Sequence, residues 1–108
     1  MVAEETHLLV IAVNADNIDQ VTEVIGKTLA ISFTQRDSSY LGEYSSCKLI
    51  DFEIRVYLNR DPLFQAEIDP PDEEFFVPAF KERRVLVSVS GSAEVAEMVN
   101  KALQTHFG

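Results

Sequence analysis

The segment from Asp51 to Asn59 alternates between apolar and polar side chains at almost every position. The apolar positions are Phe52, Ile54, Val56 and Leu58, and the polar positions between and after them are Glu53, Arg55, Tyr57 and Asn59. Successive side chains of a strand point to opposite faces, so this segment predicts a strand with one core face and one face that is wet or meets a partner. The apolar face of such a strand must pack against a second layer of secondary structure.

The other periodic segments complete an α+β arrangement. Residues 7–13 are continuously apolar, which predicts a central strand covered on both faces. Residues 17–29 and 93–106 repeat apolar side chains at helical spacing and predict two helices. The remaining strands are expected at 30–35, 40–50 and 85–90. The predicted order is β-α-β-β-β-β-α, a mainly antiparallel sheet of four to five strands with two helices on one face.

The length and composition indicate one ordinary globular domain. The chain has 108 residues, of which 46% are hydrophobic and 25% charged, and these values suit a single self-supporting core. Cys47 is the single cysteine, which excludes an intramolecular disulfide and fits a reducing compartment. The residues before Leu8 do not resemble a secretory signal, and the apolar run from Leu8 to Val13 is too short to span a bilayer. We therefore expect a cytoplasmic protein with no membrane partner.

A long acidic segment interrupts the strand pattern at about 60–80. Prolines forbid regular pairing there, and a connection of this length in a small domain is often functional or mobile. Its six carboxylates, with no basic residue among them, are Asp61, Glu67, Asp69, Asp72, Glu73 and Glu74. Phe75, Phe76 and Phe80 follow, and they either pin the segment to the sheet or belong to an interface.

The net charge of −9 makes some classes of binding partner less favourable than others. Phosphate backbones and anionic membranes would be repelled, which argues against a nucleic-acid partner, whereas a basic protein would be attracted. The same charge could also serve solubility alone.

The side chains that usually carry chemistry are sparse and scattered. His7 and His106 stand at opposite ends of the chain and Cys47 has no base beside it in sequence, so neither a metal site nor an activated nucleophile is expected. The chain has no glycine-rich phosphate loop and no nucleophile-elbow motif. We predict a protein without catalytic residues and without a cofactor.

Two stretches resemble a known class of proteins. Residues 36–44 read Arg-Asp-Ser-Ser-Tyr-Leu-Gly-Glu-Tyr, and the alternating strand that follows ends in Tyr-Leu-Asn at 57–59. Together they resemble small bacterial immunity proteins of polymorphic-toxin systems. The resemblance implies a cytosolic inhibitor that binds a toxin domain, often a nuclease with a basic cleft, and blocks its active site.

The leading hypothesis from the sequence is therefore an acidic protein-binding module that inhibits a basic toxin domain. The six carboxylates of the acidic segment would attract the partner, and the aromatic contacts would come from Tyr40, Tyr44 and Tyr57. One alternative is a small regulatory or ligand-binding domain of ferredoxin-like character that forms a homodimer through its open sheet face. A second alternative is an assembly factor or structural subunit of a larger complex.

Overall fold

The structure is a computed structural model that describes residues 8–70, 74–77, 79 and 82–107. The helices and strands follow the order predicted from the sequence. They are β1 (Leu8–Val13), α1 (Ile18–Leu29), β2 (Thr34–Ser38), β3 (Gly42–Lys48), β4 (Glu53–Leu58), β5 (Val85–Ser90) and α2 (Ala93–Phe107). No helix among the described residues has the length and apolar character needed to cross a membrane.

The five strands form one antiparallel sheet in the order β1-β5-β4-β3-β2. Helix α1 lies over β3 and β4, helix α2 lies over β1 and β5, and the two helices pack against each other. Their buried side chains join one hydrophobic cluster with those of the sheet. The α+β prediction with two helices on one sheet face is thus confirmed.

Local side-chain chemistry fixes where each helix begins. Asn17 is the N-cap of α1, and its side-chain oxygen accepts a hydrogen bond from the Gln20 N–H at 2.9 Å. The Gln20 side chain accepts in return from the Asp16 N–H, also at 2.9 Å, so two otherwise unpaired donors are satisfied. In α2 the Ser92 hydroxyl accepts from the Val95 N–H at 3.2 Å.

The core lies between the sheet and the two helices. Most of its fully buried side chains are β-branched residues of β4 and β5, which suits strand positions packed against helices, and the others lie on α1 and α2. The fully buried core side chains are Val21, Ile25, Ile54, Val56, Val85, Val87, Val89 and Val99. Cys47 is also buried, at 7% exposure, on the same row of the sheet as Ile54. The burial raises the pKa of its thiol and so favours the protonated form.

The position of β1 differs from the prediction for residues 7–13. A continuously apolar strand was expected in the middle of the sheet, but among the strands that the structure describes β1 pairs with β5 alone and forms one edge. Helix α2 covers one of its faces, while Leu8 and Val10 point to the other face and stay 67% and 44% exposed. The apolar run correctly predicted a strand, but its central position in the sheet was wrong. Which strands become its neighbours depends on residues elsewhere in the chain.

The second strand also lies later than predicted. Ile31 and Phe33 were expected to alternate within a strand over 30–35, but they precede it and pack partly buried against the core. Strand β2 instead spans Thr34–Ser38. It is the other edge of the sheet, and an edge strand with little coverage has no need of apolar alternation.

Candidate functional site

The sheet face away from the helices, here called the open face, carries most of the polar strand side chains. Directly opposite residues of antiparallel strands point to the same face, so the register assigns this face residue by residue. Strands β2 to β4 contribute Thr34, Arg36, Ser38, Ser46, Tyr44, Lys48, Glu53, Arg55 and Tyr57. The wet face predicted for residues 51–59 is therefore the open face.

Two of the three predicted tyrosines are cross-strand neighbours on this face. Tyr44 of β3 lies directly opposite Tyr57 of β4, and Arg36 of β2 is the next residue in the same row. Phe76 meets Tyr57 edge to face, with ring centroids 5.7 Å apart and an interplanar angle of 83°. Burial raises the pKa of the Tyr57 hydroxyl, and the nearby charge of Arg55 lowers it in part.

Phe76, one of the aromatic residues after the acidic segment, thus has a structural role at this position. Leu86, the next residue in the row beyond Tyr57, is only 1% exposed although it points away from the helices. Phe76 contacts Tyr57 in the same row, and Val77 bonds to Asn59 just beyond it, so this part of the chain lies at this end of the open face. Phe76 supports the interpretation that the phenylalanines attach the acidic segment to the sheet. Phe80 lies outside the described residues.

The long connection between β4 and β5 is tied at its base by hydrogen bonds. The Asn59 side chain accepts from the Val77 N–H at 2.9 Å and donates to the Val77 carbonyl at 3.3 Å. The Asp61 N–H donates to the Glu74 carbonyl at 2.8 Å. These contacts close residues 60–76 into a loop that stands on the end of the sheet.

The described carboxylates of this loop differ in their hydrogen bonds, ion pairs and exposure. Asp61 accepts a hydrogen bond from the Leu63 N–H, and Asp69 accepts from the Gln65 N–H, both at 2.9 Å. These two side chains shape turns, and their backbone N–H donors carry no net charge that could neutralise a carboxylate.

The remaining carboxylates divide into a paired, an exposed and an undescribed set. Glu74 lies 3.6 Å from the Arg60 guanidinium and is partly neutralised by it. Glu67 is exposed. Asp72 and Glu73 lie outside the described residues. The negative charge of the described loop therefore comes from Asp61, Glu67 and Asp69.

The loop also exposes apolar side chains that the sequence analysis did not single out. Leu63 is 54% exposed and Ile68 is 75% exposed, each beside a carboxylate of the same loop. The signal was present in the sequence as apolar residues inside a proline-broken acidic segment, where no strand or helix could bury them. Such groups rimmed by charge are typical of protein interfaces.

Tyr40 lies on the turn between β2 and β3, beside the first turn of the loop. Its side chain is 74% exposed, and the turn is held by the Leu41 N–H, which donates to the Ser38 hydroxyl at 2.9 Å. A Cβ on Gly42 would lie 3.8 Å from the Pro62 ring, so this turn and the loop are in contact distance. We call the set Tyr40, Asp61, Leu63, Glu67, Ile68 and Asp69 the loop surface.

The other concave regions offer less chemistry. An open cleft of about 270 Å³ lies where the start of α1 meets β3, and carboxylates line it, among them Asp16, Asp19 and Glu43. A shallow groove between the helices is lined by Met98, Ala102 and His106. Across residues 8–70, 74–77, 79 and 82–107, no three His, Cys, Asp or Glu side chains are grouped to hold a metal ion.

Comparison of the chain with protein-family models, with curated proteins and with solved structures finds no match.

Proposed function

We propose that this protein is an acidic protein-binding module that inhibits a basic partner, in the manner of a bacterial immunity protein, and that the loop surface contacts this partner. The observation that carries the proposal is the exposure of Leu63 and Ile68 among carboxylates on a loop that is tied firmly at its base. Apolar anchors supply affinity when they are desolvated, and a charged rim supplies selectivity and speed.

The electrostatic part of the proposal depends on those described loop carboxylates that have no cation within ion-pair distance. The chain carries −9 in total, and of the described loop carboxylates Glu74 alone has a cation within ion-pair distance. Asp61, Glu67 and Asp69 would therefore attract a basic surface such as the phosphate-binding cleft of a nuclease toxin. Such steering speeds association and weakens as salt is added.

The three tyrosines take different parts in this proposal. Tyr40 is exposed and stands beside the loop, where it can insert into a partner. Tyr44 and Tyr57 lie in the sheet below, with Phe76 against the ring of Tyr57. They act as a stiff platform for the loop and present their outer edges to a partner, and a rigid contact surface loses little entropy on binding.

The test uses the protein encoded by the reading frame immediately upstream as the partner, because an immunity protein of this kind would be expected beside the gene of its toxin. Association and dissociation rates are measured by surface plasmon resonance at about 50 mM and about 300 mM NaCl. Glu67→Lys should slow association about three- to tenfold at low salt, and Ile68→Ala should speed dissociation about tenfold.

The matched control is Glu97→Lys, which makes the same charge change at an exposed position of α2 on the opposite side of the sheet. It should alter association by less than about twofold. Equal effects of Glu67→Lys and Glu97→Lys would remove the loop surface from the interface. An upstream product that does not bind at about 10 µM would overturn the inhibitor proposal itself.

The alternative of a ferredoxin-like regulatory domain is not favoured by the order of elements. A ferredoxin-like fold runs β-α-β-β-α-β, whereas this chain places four strands between its two helices. A dimer through the middle of the open face would bring Glu53, Arg55 and Lys48 under a second copy. A different surface suits a second copy better.

A further inference from the structure

The outer edge of β1 is apolar on both faces of the sheet. Leu8, Val10 and Ala12 point to the open face, in the same rows as Ser90, Ser88 and Leu86 of β5. Leu8 is 67% exposed, Leu9 37% and Val10 44%. On β3 and β4 the open-face side chains are polar or aromatic, so the exposed apolar side chains of the open face are concentrated at this edge.

The opposite edge of the sheet has the features that prevent strand pairing. Residues Thr34, Gln35, Arg36 and Asp37 of β2 are all exposed, and two of them are charged. Charged side chains on an edge strand discourage a second strand from docking there. Strand β1 has no charged residue and no proline, and among the described strands it pairs with β5 alone.

We propose that β1 is the dimerisation edge of this protein and that it pairs antiparallel with β1 of a second copy. The proposal is independent of the loop surface and goes beyond the proposed inhibitor function. It also accounts for the apolar run at 8–13, because in the dimer β1 becomes a central strand of a sheet twice as wide. A composition typical of a central strand would then match its position.

The symmetry of such a pair determines which residues meet. A two-fold axis perpendicular to the sheet keeps both helix layers on the same side, and it must pass through a residue that faces its own copy. With Val10 on the axis, Leu8 lies opposite Ala12 of the second copy and Leu9 lies opposite Ile11. The pairs formed among residues 8–12 are then all apolar, and on the open face the large Leu8 meets the small Ala12.

The charge distribution favours a second copy at this edge over the basic partner of the loop surface. Two chains of charge −9 repel each other, so they can associate only where few charges come close. The nearest open-face charges, Glu53 and Arg55 on β4, are separated from β1 by Ser90 and Ser88 of β5. A neutral edge offers a basic protein no charge to recognise.

The interface is small, so we expect a weak dimer. Two strands of 6 residues each give a contact at the low end of specific interfaces, with a dissociation constant on the order of 10 µM. Pro62 of the loop lies near Gly42 of β3, and β5 and β4 separate β3 from β1, so we expect the loop surface to stay free in the dimer. The dimer would therefore present two loop surfaces.

The first experiment measures the mass of the full chain by sedimentation velocity from about 1 µM to about 300 µM. The wild type should shift from monomer to dimer across this range. Val10→Lys places a charge on the two-fold axis and should weaken dimerisation at least tenfold, with the circular dichroism spectrum unchanged. A wild type that stays monomeric at the highest concentration overturns the proposal.

Two control variants distinguish pairing through β1 from nonspecific hydrophobic association. Thr34→Lys places the same charge on the opposite edge, and Ile50→Lys removes a fully exposed apolar side chain from the turn between β3 and β4. Both should dimerise as the wild type does. If either control weakens the dimer as much as Val10→Lys does, the contact is not made through β1.

A crosslinking experiment tests the antiparallel register and stays informative if Val10→Lys disturbs the fold. Directly opposite residues of antiparallel strands have Cα atoms about 4.5–5.5 Å apart, within the range of a disulfide. In a Cys47→Ser background, Val10→Cys should form a covalent dimer under mild oxidation and Thr34→Cys should not. Crosslinking at Thr34→Cys in place of Val10→Cys would overturn the proposal.

Discussion

The side chain of Asn59 forms two hydrogen bonds with the backbone of Val77, eighteen residues later in the chain. One side-chain amide thus does what a neighbouring strand would do for Val77, by accepting from its N–H and donating to its carbonyl. Asn59 is only 3% exposed, and its own N–H donates to the Arg84 carbonyl at 2.7 Å. The two ends of the acidic connection are therefore joined through a single buried residue.

Asn59→Ala should destabilise the protein by about 2–3 kcal/mol, because it removes both hydrogen bonds and leaves two backbone groups of Val77 without their partner. The free energy of unfolding is measured by urea denaturation. The same variant should also be cut faster by protease within residues 60–82, since the loop loses its tie before the core loses its packing.

Asn14→Ala is the matched control, since Asn14 is exposed and the same atoms are deleted. It should change the free energy of unfolding by less than about 0.5 kcal/mol. An Asn59→Ala protein as stable as the Asn14→Ala protein would show that the bonds to Val77 contribute nothing to the loop.

The order and type of the elements followed from periodicity in the sequence, and their neighbours in the sheet did not. The alternation gave the faces of residues 53–57 correctly, because burial on one side leaves a pattern with period two. It was wrong at the end of the segment, where Leu58, expected in the core, is 41% exposed and Asn59, expected to be wet, is 3% exposed because it bonds to Val77. The apolar run of β1 left no such asymmetry, and it was placed at the centre of the sheet when it lies at the edge. Sheet order depends on distant pairings such as Leu8 with Ser90, and no local pattern records them.

The residue types of the candidate site could be predicted from the sequence, but their contacts could not, because these depend on sheet register and loop closure. Tyr44 and Tyr57 could be named as aromatic strand residues, but their position opposite each other depends on the register of β3 with β4. Asp61 and Asp69 could be named as acidic, but each also shapes a turn through a backbone N–H. The ion pair of Glu74 with Arg60 requires the loop to close, which is a tertiary event.

Gly91→Ala should be one of the most destabilising single substitutions on the surface of this protein. Gly91 has φ +106°, and a Cβ there would lie 2.5 Å from the Asp51 carbonyl oxygen and 3.0 Å from the Cα of Phe52. Both obstacles are backbone, so the end of β5 or the turn between β3 and β4 must move. We expect a loss of about 3 kcal/mol or more in the free energy of unfolding, measured in urea.

Gly42→Ala separates backbone strain from the close contact. Gly42 also has a positive φ, +70°, but its nearest neighbour to a new Cβ is the Pro62 ring at an ordinary 3.8 Å. Only the left-handed conformation is then unfavourable, at a cost of about 1 kcal/mol. If the two variants lose equal stability, the approach of Gly91 to Asp51 is not tight in solution.

The raised pKa of Tyr57 should make stability fall in alkaline solution. The hydroxyl ordinarily ionises near pH 10, and burial holds its pKa above that value in the folded state, against a smaller opposing effect of Arg55. Above the unfolded-state pKa the unfolded chain releases this proton first, so the folded state binds more protons and the free energy of unfolding decreases as pH rises. The contribution is intact below about pH 10 and is lost progressively above it.

Tyr57→Phe removes this titration and keeps the ring that contacts Phe76. Between about pH 9 and about pH 11 its free energy of unfolding should fall less steeply than that of the wild type, measured by urea denaturation at each pH. Phe76→Ala should also flatten the decline, because it exposes the Tyr57 ring and reduces the burial that raises its pKa. Parallel pH profiles for the wild type and Tyr57→Phe would mean that the hydroxyl is solvated, and that Phe76 does not shield it at this end of the sheet.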